Sequence, residues 1–231
     1  MLFLLTGDVQ IGKTRWLEDL CASLQAAGTC VAGVVAPGQW VPRPEGQPGG
    51  KHGFDGAGRF EKLGIDNVLL PQGKRIEFAR RRDLAAKSKA FTEGTQAKAA
   101  KLGWAISDTA IAQVNAHFAT LAKQASIAPA DSGMPALPAN ETRLAPHAML
   151  VVDELGRLEL LHSCGLTNAL AILDAGPTPQ FPHAIAVVRQ TLLDEARRRF
   201  EPRWGKATVI GPDDAARNLV LETARAAGGA H

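Results

Sequence analysis

The first 35 residues constrain this chain more than any other stretch. Leu2 to Leu5 is a short, wholly apolar run, as expected of a parallel strand buried on both faces. The loop Gly7-Asp8-Val9-Gln10-Ile11-Gly12-Lys13-Thr14 follows. Lys13 to Ala27 then carries Trp16, Leu17, Leu20 and Leu24 at helical spacing, and Gly28 stands where a helix ends. Cys30 to Val35 is apolar and β-branched again. Strand, helix and second strand in so short a span make a βαβ unit, which commits the chain to a parallel sheet. The expected fold class is therefore α/β.

Downstream the pattern changes and then resumes. Pro37 to Gly64 is rich in proline and glycine and loses helical periodicity. Asp66 to Leu70 and Arg75 to Arg80 read as short strands around the turn Pro71-Gln72-Gly73. Residues 37–80 are thus expected to form an antiparallel insertion with a flexible tip. Ser107-Asp108 can cap a helix from Thr109 to about Ala125, with Ile111, Val114, Phe118 and Leu121 on one face. Ala128 to Pro146 holds four prolines and reads as a surface connection. Met149 to Val152 is a buried-strand run ending at Asp153-Glu154. Leu166 to Leu173 reads as helix, Ala184 to Val188 as strand, and a charged helix runs through Arg199. Ala207 to Ile210 and Ala215 to Ala227 give the last strand and helix. One sheet is expected to draw strands from both ends, so residues 1–231 read as one domain.

The glycine loop fits G-x-x-x-x-G-K-[ST]. Successive backbone N–H groups in such a turn can point at phosphate oxygens, and Gly7 and Gly12 permit the backbone angles and the close approach. The helix that follows directs its positive end at the same place. Gly7, Asp8, Val9, Gln10, Ile11, Gly12, Lys13, Thr14 and Arg15 are the expected nucleotide-binding set. Lys13 would reach the β- and γ-phosphates and Thr14 would ligate Mg²⁺. A chance match in a glycine-rich loop is the bland alternative, but a buried strand enters this loop and an amphipathic helix leaves it.

Asp153 and Glu154 stand at the carboxyl end of a buried strand, where ligands bind in open α/β sheets. Asp153 suits the role of second Mg²⁺ holder, and Glu154 that of general base toward an attacking water. The paired acids favour hydrolysis over transfer to an acceptor. Arg189 follows the strand Ala184 to Val188 and so falls at the same sheet edge. It is the candidate for stabilising the γ-phosphate, against a helix-capping arginine as the alternative. Glu159 reads equally as a rim carboxylate or a surface glutamate.

These two segments carry a resemblance. Thr6 to Thr14, together with Val151-Val152-Asp153-Glu154-Leu155-Gly156-Arg157-Leu158-Glu159-Leu160, resembles the small nucleoside-triphosphatase family that includes a human cancer-related member and archaeal and bacterial relatives. Gly33-Val34-Val35-Ala36-Pro37 and Gly53-Phe54-Asp55 extend it, and the likeness thins after about residue 175. The resemblance implies a P-loop NTPase three-layer sandwich: a RecA-like, mainly parallel sheet with antiparallel β additions. It also implies slow Mg²⁺-dependent hydrolysis of nucleoside triphosphates with broad base tolerance, with Lys13 and Thr14 in the phosphate-loop roles, Asp153 as metal holder and Glu154 as base. The proline-rich loop Gln39 to Lys51 and the segment Ala128 to Pro146 depart from the family pattern.

Composition narrows the rest. Lys+Arg 26 against Asp+Glu 23 gives only +3, too small an excess to mark a nucleic-acid binder without clustering. No apolar run approaches a membrane span. Three scattered cysteines (Cys21, Cys30, Cys164) argue against disulfides and zinc, which reads as a reduced, cytoplasmic protein. The histidines show no metal spacing. Trp104 reads as core, or as a platform for a base. Arg80-Arg81-Arg82 and Arg197-Arg198-Arg199 read as solvated faces. Two other functions share these features. A nucleotide or small-molecule kinase would use the arginines at 197–199 on a lid, and a nucleotide-dependent accessory protein would offer residues 37–64 and 128–146 to a protein partner.

Overall fold

The computed structural model describes residues 1–43, 59–87, 91–99, 103–126 and 147–228. The segment Ala128 to Pro146, the tip of the 37–64 stretch and Gly53-Phe54-Asp55 lie outside the described residues. The strands are β1 (Leu2–Leu5), β2 (Val31–Val35), β3 (Gly38–Pro42), β4 (Phe60–Leu70), β5 (Lys74–Arg81), β6 (Trp104–Ile106), β7 (Met149–Leu155), β8 (His183–Val188) and β9 (Thr208–Ile210). The helices are α1 (Lys13–Ala26), α2 (Arg82–Ala85), α3 (Thr95–Ala99), α4 (Asp108–Ser126), α5 (Arg157–His162), α6 (Thr167–Asp174), α7 (Leu193–Trp204) and α8 (Asp214–Gly228).

All nine described strands join one sheet in the order β6-β5-β4-β2-β7-β8-β1-β9, with β3 beside β4. From β2 to β9 every pairing is parallel. From β2 outward to β6 every pairing is antiparallel, and so is β3 with β4. The sheet is thus a parallel half with an antiparallel wing, and it takes strands from both ends of the chain.

Strand residues alternate between two cores because successive side chains leave a strand on opposite faces. Leu2, Leu4, Ala32, Val34, Leu150 and Val152 meet Phe118 and Leu121 of α4, Leu170 and Leu173 of α6 and Phe200 of α7. Phe3, Leu5, Val31, Val35, Met149 and Val151 face Trp16, Leu17 and Leu20 of α1 and Val220 of α8. Helices therefore cover both faces, the layering a mainly parallel sheet requires. Gly33 is a point of necessity: its φ is +128°, and a Cβ there would be driven into the carbonyl oxygen of its cross-strand neighbour Val151.

The wing is larger than the sequence pattern suggests. Residues 38–42 and 60–65, inside the stretch read as loop, pair as β3 and the first half of β4. Proline and glycine argue locally against strand. Pro42, however, closes an outer strand on which a missing N–H is tolerated, so cross-strand pairing overrides the local signal. The three-residue β6 and the six-residue α5 were likewise too short to leave a periodic trace.

Candidate active site

The site begins where β1 ends. Thr6 is pinned by its N–H to the Ile210 carbonyl at 3.0 Å, and the chain then turns through Gly7 and Gly12, whose φ angles are +134° and +93°. Gln10 also has positive φ, at 67°. These angles open the loop outward, leaving Asp8, Val9, Gln10, Ile11 and Gly12 exposed. Gly12 is the N-cap of α1, no side chain caps that end, and its first turn holds no acid. The unpaired N–H groups and positive end of a 14-residue helix therefore stand open beside the loop.

The Lys13 ammonium donates to the carbonyls of Gly7 at 2.9 Å and Asp8 at 2.7 Å, folded back over the loop. Burial lowers its pKa from the ordinary lysine value. Glu154 opposes that shift, Arg189 adds to it, and Asp153 and Asp8 oppose it again. The loop lysine thus lies within electrostatic reach of both acids and of Arg189. Thr14 faces the same acids, its hydroxyl acting to lower the Asp153 pKa.

This convergence follows from strand order. A single strand, β8, separates β1 from β7. At ordinary inter-strand spacing their carboxyl ends lie about 10 Å apart. At the end of β7 the register slips: Val152 pairs with Ala186 but Leu155 with Val188, so three steps on β7 oppose two on β8. The extra residue falls at Asp153-Glu154. Bulges of this kind re-aim side chains at sheet rims.

The two acids meet different surroundings. Asp153 is 2% exposed, and its Oδ2 accepts the Ala36 N–H at 3.0 Å. Burial pushes its pKa up to about 6; the Ala36 N–H, the Thr14 hydroxyl and the Lys62 charge pull it down, and Glu154 pushes it up. Glu154 is half-exposed, and its Oε1 accepts the Arg189 Nε–H at 2.6 Å. The expected edge position of Arg189 is therefore occupied, with the guanidinium engaged by the neighbouring acid.

Other candidates separate from this cluster. Arg15 is exposed on the first turn of α1, where its charge acts on Glu18. Glu159 is neither rim ligand nor surface glutamate. It is 5% exposed and accepts the N–H groups of Gly156 and Leu166, each at 2.9 Å, clamping the turn behind β7 to the start of α6. Arg197, Arg198 and Arg199 pair with Glu201, Glu195 and Asp174, and Arg80, Arg81 and Arg82 with Glu77, Glu61 and Glu93. Burial raises the Cys164 thiol pKa, and Glu159 adds to it, so that thiol is held in its unreactive form. Trp104 is half-buried on β6, with the Lys62 ammonium 5.6 Å from its ring centre.

Lys62 itself escaped the sequence reading, as did the Ala36 amide. Neither has a motif: Lys62 sits in a strand that reads as loop, and a backbone donor leaves no mark in a sequence. Metal chemistry fits the donor set only in part. Among the described residues no group of three or more His, Cys, Asp or Glu side chains could hold an ion. The Thr14 hydroxyl and the buried Asp153 carboxylate instead suit Mg²⁺, which keeps waters and takes one or two protein ligands. Among the described residues no helix is long and apolar enough to cross a membrane.

No protein-family model and no curated protein matches this chain. Among solved structures, the solution structure of a human cancer-related nucleoside triphosphatase is similar to it at 18% identity, covering 99% of this chain and 96% of that one, with a TM-score of 0.49.

Proposed function

We propose that this chain is a P-loop nucleoside triphosphatase that binds a nucleoside triphosphate with Mg²⁺ and hydrolyses it to the diphosphate and phosphate. The observation that carries this reading is the strand order, which sets the glycine loop at the end of β1 one strand away from the buried Asp153 and the Glu154 beside it at the end of β7. The bulge beneath the acids, the open N-terminus of α1 and the Lys13 ammonium folded over the loop support it.

In this reading the amides from Gly7 to Thr14 cradle the phosphates, and Lys13 exchanges the Gly7 and Asp8 carbonyls for phosphate oxygens. Thr14 and Asp153 would hold Mg²⁺, which when bound would neutralise charge on the phosphate oxygens. The Oε1 of Glu154 is engaged by Arg189, so its Oε2 is the atom that accepts a proton from the attacking water. Arg189 orients that carboxylate and places a positive charge beside the outermost phosphate. Broad base tolerance follows from a grip made on phosphate and metal alone.

The test is phosphate release by the purified full chain from ATP, GTP, CTP and UTP, with Mg²⁺ or with EDTA and without an acceptor. Release from all four in Mg²⁺ supports the reading. Release only after an acceptor is added turns it to a kinase, and release only with a protein partner to an accessory protein.

A further inference from the structure

The antiparallel wing sends one cation toward the acids. Lys62 stands opposite Trp40 in the β3–β4 register. Its ammonium lies 5.8 Å from the Trp40 ring centre and 5.6 Å from that of Trp104, so two indoles flank it. A Cβ built on Gly38 would come within 2.6 Å of Lys62 Cε and 2.5 Å of Trp40 Nε1; the lysine stem therefore lies across Gly38. Two residues before Gly38 is Ala36, whose N–H holds Asp153 Oδ2 at 3.0 Å. The lysine stem thus lies two residues along the chain from the amide that holds Asp153, on the flank of β7 away from the glycine loop.

Among the described residues no carboxylate lies within salt-bridge distance of Lys62. A half-buried ammonium without a counter-ion is costly, and each indole face offsets only about 0.5–2 kcal/mol of that cost. Burial accordingly lowers the Lys62 pKa, Glu154 and then Asp153 act to raise it, and Arg189 lowers it further. The same three groups act on Lys13, and strand order puts Lys13 on the β1 flank of β7 and Lys62 on the β4 flank. An anion placed at the acids would meet both.

Building on the triphosphatase reading, we propose that Lys62 is a second cationic contact to the terminal phosphate, held in line by Trp40 and Trp104. A contact to that phosphate alone distinguishes triphosphate from diphosphate. Loop residues hold both ligands, whereas Lys62 meets only the longer one.

The experiment compares the parent chain with Lys62→Met and Lys62→Arg, using Mg·ATP turnover and the affinities for a non-hydrolysable ATP analogue and for ADP. Lys62→Met is expected to lower kcat/KM by about 10²-fold. It should weaken the analogue at least tenfold while leaving ADP within twofold. Lys62→Arg, which keeps the charge, recovers most of both losses. Gly38→Ala retains the lysine but pushes its stem aside, and it shifts the analogue-to-ADP ratio in the same direction. Urea midpoints establish that each variant folds, and Gly38→Ala decides the matter should Lys62→Met fail to fold. A parent-like ratio in Lys62→Met, or equal losses in Met and Arg variants, overturns the Lys62 contact while the triphosphatase reading stands. A parent chain that neither binds nor hydrolyses Mg·ATP overturns both.

Discussion

Replacing Asp153 by asparagine isolates the energetic cost of its buried charge. The folded carboxyl titrates at about 6 against an ordinary 3.8, chiefly because burial penalises its ionised form. The shift of about 2.2 units corresponds to about 3 kcal/mol of stability. Below pH 3.8 the carboxyl is protonated in folded and unfolded chains alike, so that stability is fully present. As pH rises through 6, the unfolded chain ionises first and the folded state loses its advantage. Above that range the penalty is complete. Asparagine cannot ionise, and its own costs, a lost acceptor and an added buried N–H, do not vary with pH.

The difference in unfolding free energy, Asp153→Asn minus parent, is therefore expected to grow by about 2.4 kcal/mol between pH 4 and 7. Urea melts at half-unit pH steps in EDTA measure it, as a relative midpoint shift on the order of 1 M. EDTA keeps divalent ions from restoring the charge. A difference that stays flat across this range would show that the carboxylate is not desolvated in the folded chain.

Three further outcomes follow from neighbouring features. Gly33→Ala forces an L-residue to φ +128° against the Val151 carbonyl, costing about 3 kcal/mol or more; differential scanning calorimetry should show a Tm lower by roughly 6–12 °C. Glu159→Ala strands the Gly156 and Leu166 amides and should lower the urea-derived stability by about 3 kcal/mol, whereas a parent-like midpoint would remove its clamping role. Lys13→Ala should weaken a fluorescent triphosphate analogue by about 10–100-fold, since charge-assisted hydrogen bonds contribute about 1.5–3 kcal/mol; unchanged affinity would take Lys13 out of the site.

The parallel half of the fold is written in the sequence because its signals are local. Leu2–Leu5, Met149 to Val152 and Ala184 to Val188 are apolar runs of strand length, and α1 carries its periodicity and its ending glycine. The wing is not legible in the same way. β3 and the first half of β4 exist because they pair with each other, while Pro37, Gly38 and Pro42 argue against strand residue by residue. The site divides along the same line. Lys13, Thr14, Asp153 and Glu154 belong to contiguous motifs, and strand order brings them together. The Ala36 amide and Lys62 arrive by tertiary placement, and Glu159 turns inward because buried amides of its own turn need an acceptor. Arg189 stands at the sheet edge that its place after β8 implies, but its bond to Glu154 crosses 35 residues and has no sequence signature.

In the proposed reaction a polyphosphate lying on the glycine loop has its end beside Glu154, which takes a proton from water. Glu154→Gln tests it most directly, with the affinity for Mg·ATP and the rate of phosphate release measured on the same preparation. Affinity within a few-fold of the parent and release slower by about 10²-fold or more are expected. Release at the parent rate by a variant that binds normally would contradict it.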